Sequence, residues 1–522
     1  MTPNRRILLN IVATYGRSVF AIVCGLFTSR WVLMSLGQVD YGLFGVVGVL
    51  TGFVGFLNGL LAVSVSRFYA YSVGRARDSS GAVEALEECR RWFNTALLVH
   101  TVIPVALMVV GYPIGQWAIG HWLTIPPERI EACHMVFIFS SISCFVSMVN
   151  VPFQAMYFAK QYIAELTIYS FFQTAVTTCC LYYMVTHPRD WLVGYAFIVC
   201  VIAVVPQLII SLRALRVFPE CRFVRRYFID LGRLPELLRY VGWQAFGLTG
   251  QLMKFQGIAI LVNKAFGAKV NAAMSVANSV NAHSSTLSSA LLSAFTPAIT
   301  QACGAGDLPQ MRRMAFRASK FGVMLVLIFA VPLMVELPLV LSLWLKTPPA
   351  WSTTLCIGVL VALLAEKSTY GHMIAMNAIG RIAAYQATVG TVLIFTLPVA
   401  YVLVKMGLGV PGVALALVVT ASVASLGRIV FAKRIAGMNA WEWIRNLVVP
   451  IAVCTVLSGG VGYSARFFME ADFLRLIVSV LLCEVVFIPF SWFLVLDMSE
   501  RQFAMKSLKT IIARFKPTGT LA

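Results

Sequence analysis

Phe473 to Leu496 reads FLRLIVSVLLCEVVFIPFSWFLVL, and only Arg475 and Glu484 in this stretch are charged. As a helix rising 1.5 Å per residue it would reach about 36 Å, which exceeds a hydrocarbon core of about 30 Å. Tyr240 to Val262, YVGWQAFGLTGQLMKFQGIAILV, is a second such block with Lys254 as its one charge. Blocks of this kind fill almost the whole chain. No polar stretch between them is long enough to make a separate soluble domain.

The composition agrees. Hydrophobic residues make up 59% of the 522, charged residues only 12%, and the mean hydropathy is +0.84. Soluble domains carry roughly 25% charged residues, so the chain is read as an all-α polytopic membrane protein. The net charge of +20 does not point to nucleic acid. The basic residues sit in short connections between apolar blocks, where they orient a membrane protein and meet an anionic leaflet. The twelve cysteines lie mostly within apolar blocks, and Cys179-Cys180 is an adjacent pair with no metal-type spacing. No disulfide framework is expected. The start, Met-Thr-Pro-Asn-Arg-Arg, leads into a long block from Ile7, so the first block is expected to remain as a helix and not be cleaved.

The pattern predicts about fourteen helices, at 7–35, 42–65, 92–118, 131–157, 163–186, 191–213, 240–263, 271–296, 318–342, 352–376, 382–404, 410–432, 446–465 and 473–496. Turn signals separate several of them: Leu36-Gly37, Pro126-Pro127, His187-Pro188, Phe266-Gly267 and Pro348-Pro349. With the N-terminus inside, 29 of the 41 Lys and Arg fall on inner connections, eight on outer ones and four within helices. That bias puts both termini on the cytoplasmic side.

Leu36-Gly37-Gln38-Val39-Asp40-Tyr41-Gly42 follows the first helix, and Phe266-Gly267-Ala268-Lys269-Val270-Asn271-Ala272 follows the seventh. Six helices separate the copies, so they share an orientation and suggest a parallel repeat. The expected organisation is an N-lobe at 1–213, a basic interfacial connection at 214–239 and a C-lobe at 240–433. Two added helices at 434–498 and a basic tail at 499–522 complete it.

Charges inside membrane helices are expensive and mark functional positions. Arg17 lies about 15 Å along the first helix from Ile7, on a small and partly polar face with Asn10, Thr14, Ala21, Cys24 and Thr28. Its structural alternative is an Arg neutralised by a buried carboxylate. Lys254 shares a face with Gly247, Gly250 and Gly257, with Gln244 and Gln251 nearby. The eighth helix carries Asn271, Ser275, Asn278, Ala282, Ser285 and Ser289 down one side, a pattern that equally suits helix packing. Together these faces predict a water-filled cavity between two lobes, with Arg17 and Lys254 giving positive potential at mid-depth. Arg30 is near an outer helix end and suits snorkelling. Glu366-Lys367 is read as an ion-coupling site or a local neutral pair, with the pair favoured. Glu484 stands alone in the last helix. No Walker A, HExxH or GxSxG pattern occurs, so no enzyme, cofactor or metal is expected.

Many short stretches carry a resemblance. They include Asn4-Arg5-Arg6-Ile7 with Asn10, Thr28-Ser29-Arg30-Trp31-Val32-Leu33, Asp40-Tyr41-Gly42-Leu43-Phe44, Phe56-Leu57-Asn58 and Ser66-Arg67-Phe68. Phe93-Asn94-Thr95, Gly242-Trp243, Asn271-Ala272-Ala273, Ser319-Lys320-Phe321 and Leu343-Trp344-Leu345-Lys346 add to them. The chain resembles the polysaccharide transporter (O-antigen flippase-like) family of the multidrug/oligosaccharidyl-lipid/polysaccharide (MOP) exporter superfamily over most of the first twelve helices. The resemblance implies two six-helix lobes plus two helices, alternating access and a bacterial inner membrane. It implies an undecaprenyl-diphosphate-linked glycan as the substrate moved to the outer leaflet, with glycan polymerase or assembly proteins as partners. Arg17 and Lys254 fit the cavity cations of that family, and Arg30, Asp40 and Arg67 fit gating or structural positions. The chain departs from it at Ser279 and Ala298, where relatives carry Gln. The alternatives are a cation-coupled multidrug antiporter of the same superfamily, which would want acidic cavity residues, and a non-transporting scaffold, which would need no polar interior.

Overall fold

The computed structural model describes residues 3–75, 82–121, 125–228, 231–345, 348–502 and 505. The described residues are 91% helix and contain no strand. Among the described residues, eight runs of helix are long and apolar enough to cross a membrane, or nine if the bent pair Ser352–Ser368 and Tyr370–Ile379 counts as one span. The fourteen crossings expected from the sequence go beyond that count.

Helix breaks fall where glycine or proline dictates. The first helix, Pro3–Arg75, turns at Gly37, whose φ of 73° is closed to most side chains. Gly267 (φ 81°) separates Ile258–Phe266 from Ala268–Gly304. Pro126 and Pro127 begin the short turn that leads into Ile130–Ala159. Leu234–Leu252 passes through a turn of π-helix at Met253–Gly257 before continuing as Ile258–Phe266.

The chain forms two compact units. The first gathers Met1–Thr249 with two later segments, Ser289–Ala315 and Met373–Thr388. Its small apolar clusters include Leu43, Ile119, Phe137 and Leu192. Gly74 and Gly304 meet the backbones of Gln301 and Tyr71 so closely that a Cβ at either would overlap them. Gln161 Nε2 donates to Gln301 Oε1 at 3.0 Å, and the Gln301 amide donates to the Ala159 carbonyl. All of these lie toward the helix ends that the sequence assigns to the basic connections.

The second unit holds Gly250–Ser288, Phe316–His372 and Val389–Ala522. Its core joins Ile258, Met274, Leu360, Val413 and Leu417. Gly358 packs on Ala414 and Gly462 on Cys483, the small-residue contacts by which membrane helices approach closely. The last two long helices, Val449–Phe468 and Phe473–Leu494, are fastened to Leu308–Val335 and its flanks at both ends. At one end Lys320 and Arg317 pair with the buried Glu500 at 2.8 and 3.2 Å. At the other, fully buried Glu336 receives Arg475 at 3.1 Å and Ser479 at 3.0 Å, with Arg466 at 3.5 Å. The described cysteines are all free.

Candidate functional site

Lys254 is the most buried of the expected cavity cations, with a side chain only 4% exposed. It is not a free cavity charge. Its Nζ lies 2.7 Å from Glu366 Oε1, and Arg428 and Lys367 also act on that carboxylate. The sequence reading placed Glu366 beside Lys367 or a coupling ion; the structure gives it to Lys254, 112 residues away. A lysine unpaired in a low-dielectric interior would cost several kcal/mol, so a carboxylate within reach is the stable arrangement. The pair sits where the helix opens into its π-turn at Met253–Gly257, a distortion that recurs at functional sites.

The glycine face around Lys254 is also corrected. Gly247 packs against the Gln386 amide, Gly250 against the Gly390 carbonyl and Leu393, and Gly257 against Leu397. It is a helix-packing groove, because small residues serve close approach as readily as they line water. Gln251 lies half-buried beside it.

The Ala268–Gly304 helix behaves differently. Ser275, Ala282, Ser289 and Thr296 are exposed at intervals of seven, with His283 exposed beside them. Seven residues are close to two turns, so this is one stripe. No large apolar side chain described on this helix is exposed. Instead Ala273, Met274, Ala277, Leu291 and Ala294 are buried behind the stripe. Asn278 and Ser285 are half-buried, and Asn278 Oδ1 is shielded without a hydrogen-bond partner among the described residues. Ser285 and Thr286 hydroxyls bond back to the Ala282 carbonyl. Such back-bonded hydroxyls tolerate lipid, but the His283 ring does not gain from it. The Phe473–Leu494 helix shows the contrasting lipid pattern, exposing Leu481, Val485, Ile488 and Phe493.

Arg17 is half-buried, and its Nε is shielded without a hydrogen-bond partner among the described residues. Thr14 is half-buried one turn away, and Phe20 stacks on Phe171 at 4.2 Å. The side chains of Asn10, Arg30 and Asn271 lie outside the described ones. Asp40 is buried and pairs with Arg129 at 3.0 Å, and Arg129 also bonds Asp190. Arg129 holds the Asp190 carboxyl below the usual carboxylate range by that hydrogen bond. Glu484 sits mid-helix with both oxygens shielded and without a hydrogen-bond partner among the described residues.

Arg67 has a definite task. Its Nε and Nη2 donate to the carbonyls of Asn377 and Ala378, each at 3.2 Å. These are orphan acceptors in the last turn of Tyr370–Ile379, where a cation also suits the helix dipole. Gly380 follows with φ 87°, and a Cβ there would collide with the guanidinium. Tyr240 lies 5.0 Å from the guanidinium and donates to the same Asn377 carbonyl, and Gln244 and Gln386 extend the chain of bonds at 3.0 Å each. Sequence reasoning missed Asn377, Gly380 and Arg428. Only Gly380, at the end of an apolar block, left a sequence signal for its role.

The helical fold is similar to that of solved transporters named as MATE or MOP superfamily members. An outward-facing multidrug resistance MATE family transporter superposes with a TM-score of 0.68 at 16% identity, over 84% of this chain and 96% of that one. A MOP superfamily transporter from Pyrococcus furiosus, described by the reverse polarity of its binding pocket and a suggested different function, gives 0.64 at 16% identity over 84% and 96%. The MATE transporter ClbM in complex with Rb+ gives 0.63 at 16% identity over 85% and 96%. No protein-family model matches the chain, and no curated protein does either.

Proposed function

We propose that this chain is a multi-pass membrane transporter of the MOP superfamily, with fourteen crossings, that works by alternating access. The observation that carries this reading is the stripe Ser275–Ala282–Ser289–Thr296 with His283, an exposed polar face on a helix long enough to span a membrane. A scaffold needs no such face. Both termini would then lie in the cytoplasm of a bacterial cell.

Two substrate readings follow. The neighbour named as a multidrug resistance MATE transporter, and others named MATE, favour a drug antiporter, read here as cation-coupled. The charge favours an anionic head, such as the diphosphate of a polyprenyl-linked oligosaccharide moved to the outer leaflet. Glu366 is occupied by Lys254, and Arg428 and Lys367 also act on its charge, while Arg17 presents a shielded N–H without a described acceptor. The neighbour with the reversed pocket polarity supports the view that this fold serves more than one charge class. A headgroup of charge near −2 leaving an inside-negative cell would gain roughly 4–5 kcal/mol at 100 mV. The experiment is flux in proteoliposomes, offering a fluorescent polyprenyl-diphosphate glycan and a cationic dye to wild type and Arg17→Ala. Glycan movement lost in the variant supports the anionic reading. Dye movement alone establishes the antiporter, and neither movement rejects a transporter of these solutes.

A further inference from the structure

The stretch 213–239, which joins the end of Leu192–Val217 to the start of the Arg225–Phe266 span, is basic and aromatic, with seven Arg against three acidic residues. It is not a loose loop. Fully buried Asn94 clamps it by accepting from the Val224 N–H at 2.8 Å and donating to the Arg222 carbonyl at 3.2 Å. Tyr227 donates to Glu87 and lies under Arg91, whose guanidinium is 5.0 Å from the ring. Arg233 stacks on Trp92 at 4.8 Å and reaches Glu88 at 3.5 Å. The inward residues engage Glu87 and Glu88, while Arg222, Arg225 and Arg226 face outward. Phe223 is 58% exposed and Leu231 56% exposed among them.

From this arrangement we propose that Arg222, Arg225 and Arg226, with Phe223 and Leu231, form a preformed docking platform for the headgroups of anionic phospholipids. Its position selects that occupant. Arg222 and Phe223 lie between the end of Leu192–Val217 and the start of the Arg225–Phe266 span, and Arg225, Arg226 and Leu231 lie in the first turns of the latter, where a chain crossing a bilayer meets headgroups. Exposed apolar side chains interleaved with arginines suit a surface that meets phosphates and the upper acyl region together. A water-soluble acidic partner would leave Phe223 and Leu231 unsatisfied.

The test uses the full chain in detergent, titrated with phosphatidylglycerol or phosphatidylcholine and followed by native mass spectrometry and thermal melting. Phosphatidylglycerol should bind and raise the melting temperature, and phosphatidylcholine should not. Each surface arginine strengthens such binding about fivefold, so R222Q/R225Q/R226Q should weaken it about a hundredfold. R222K/R225K/R226K should keep most of it, which separates lost charge from lost fold. Equal response to both lipids, or no loss in the triple Gln variant, would overturn the platform. Retention of polyglutamate without any lipid preference would give the surface to an acidic protein instead, and would overturn it too. None of these readouts requires transport.

Discussion

Replacing Glu366 by Gln tests the assignment of Lys254 as an internally neutralised charge. The carboxylate lies 2.7 Å from the Lys254 ammonium and also faces Arg428 and Lys367. Removing one partner of a buried pair typically costs about 3–5 kcal/mol, because the survivor keeps its desolvation penalty. The two partners are not equivalent here. Glu366→Gln leaves three cations without this carboxylate, so it belongs at the upper end of that range. Lys254→Met leaves Glu366 with Arg428 and Lys367, so it should cost about 1–3 kcal/mol. The double variant Lys254→Met, Glu366→Gln should lose well under the sum of the two single losses, with a coupling of about 1–3 kcal/mol. Thermal unfolding of the purified protein in detergent, read by tryptophan fluorescence and calibrated by denaturant titration, provides the comparison. Additive losses, or Lys254→Met costing more than Glu366→Gln, would refute the reasoning. Additivity would mean the two side chains do not share one site.

Further outcomes are specific. Gly380→Ala forces a side chain into a left-handed conformation and onto the Arg67 guanidinium, so it should cost about 1–2 kcal/mol and expose the Arg67 region to trypsin. Asn94→Ala removes both bonds that clamp 222–224; about 2–3 kcal/mol should be lost, with faster tryptic cleavage at Arg222–Arg226. Asp190 is held below its ordinary value by Arg129, so its contribution is present above about pH 4 and disappears as pH falls through the depressed folded value. Asp190→Asn should therefore lower the melting temperature slightly at pH 7, by an amount that shrinks as pH falls below about 4. The effect is small because Asp190 is 61% exposed.

Much of the helical frame was legible because lipid forbids unsatisfied backbone, so long apolar blocks and Gly or Pro breaks map directly onto helices and turns. Gly37, Pro126-Pro127 and Gly267 mark real breaks for that reason. The site was less legible. A small-residue face looks the same whether it meets water or another helix, and Gly247, Gly250 and Gly257 meet helices. Lys254 finds a partner far along the chain, and a sequence period carries no information across such a distance. Arg67 bonds main-chain carbonyls, which every residue has, so its acceptors left no mark. The Ser275 stripe could be seen in the sequence, but packing and exposure could not be distinguished until neighbouring helices were in place.

The central claim is that this stripe is wet. Cysteines placed singly at Ser275, Ala282 and Ser289 in a cysteine-free background, with Leu426 and Val485 as apolar exposed controls, would be offered a membrane-impermeant maleimide in proteoliposomes. The account predicts labelling at 275, 282 and 289 and none at 426 or 485. Stripe positions as unreactive as those controls would place the face against lipid or protein and contradict the transporter reading.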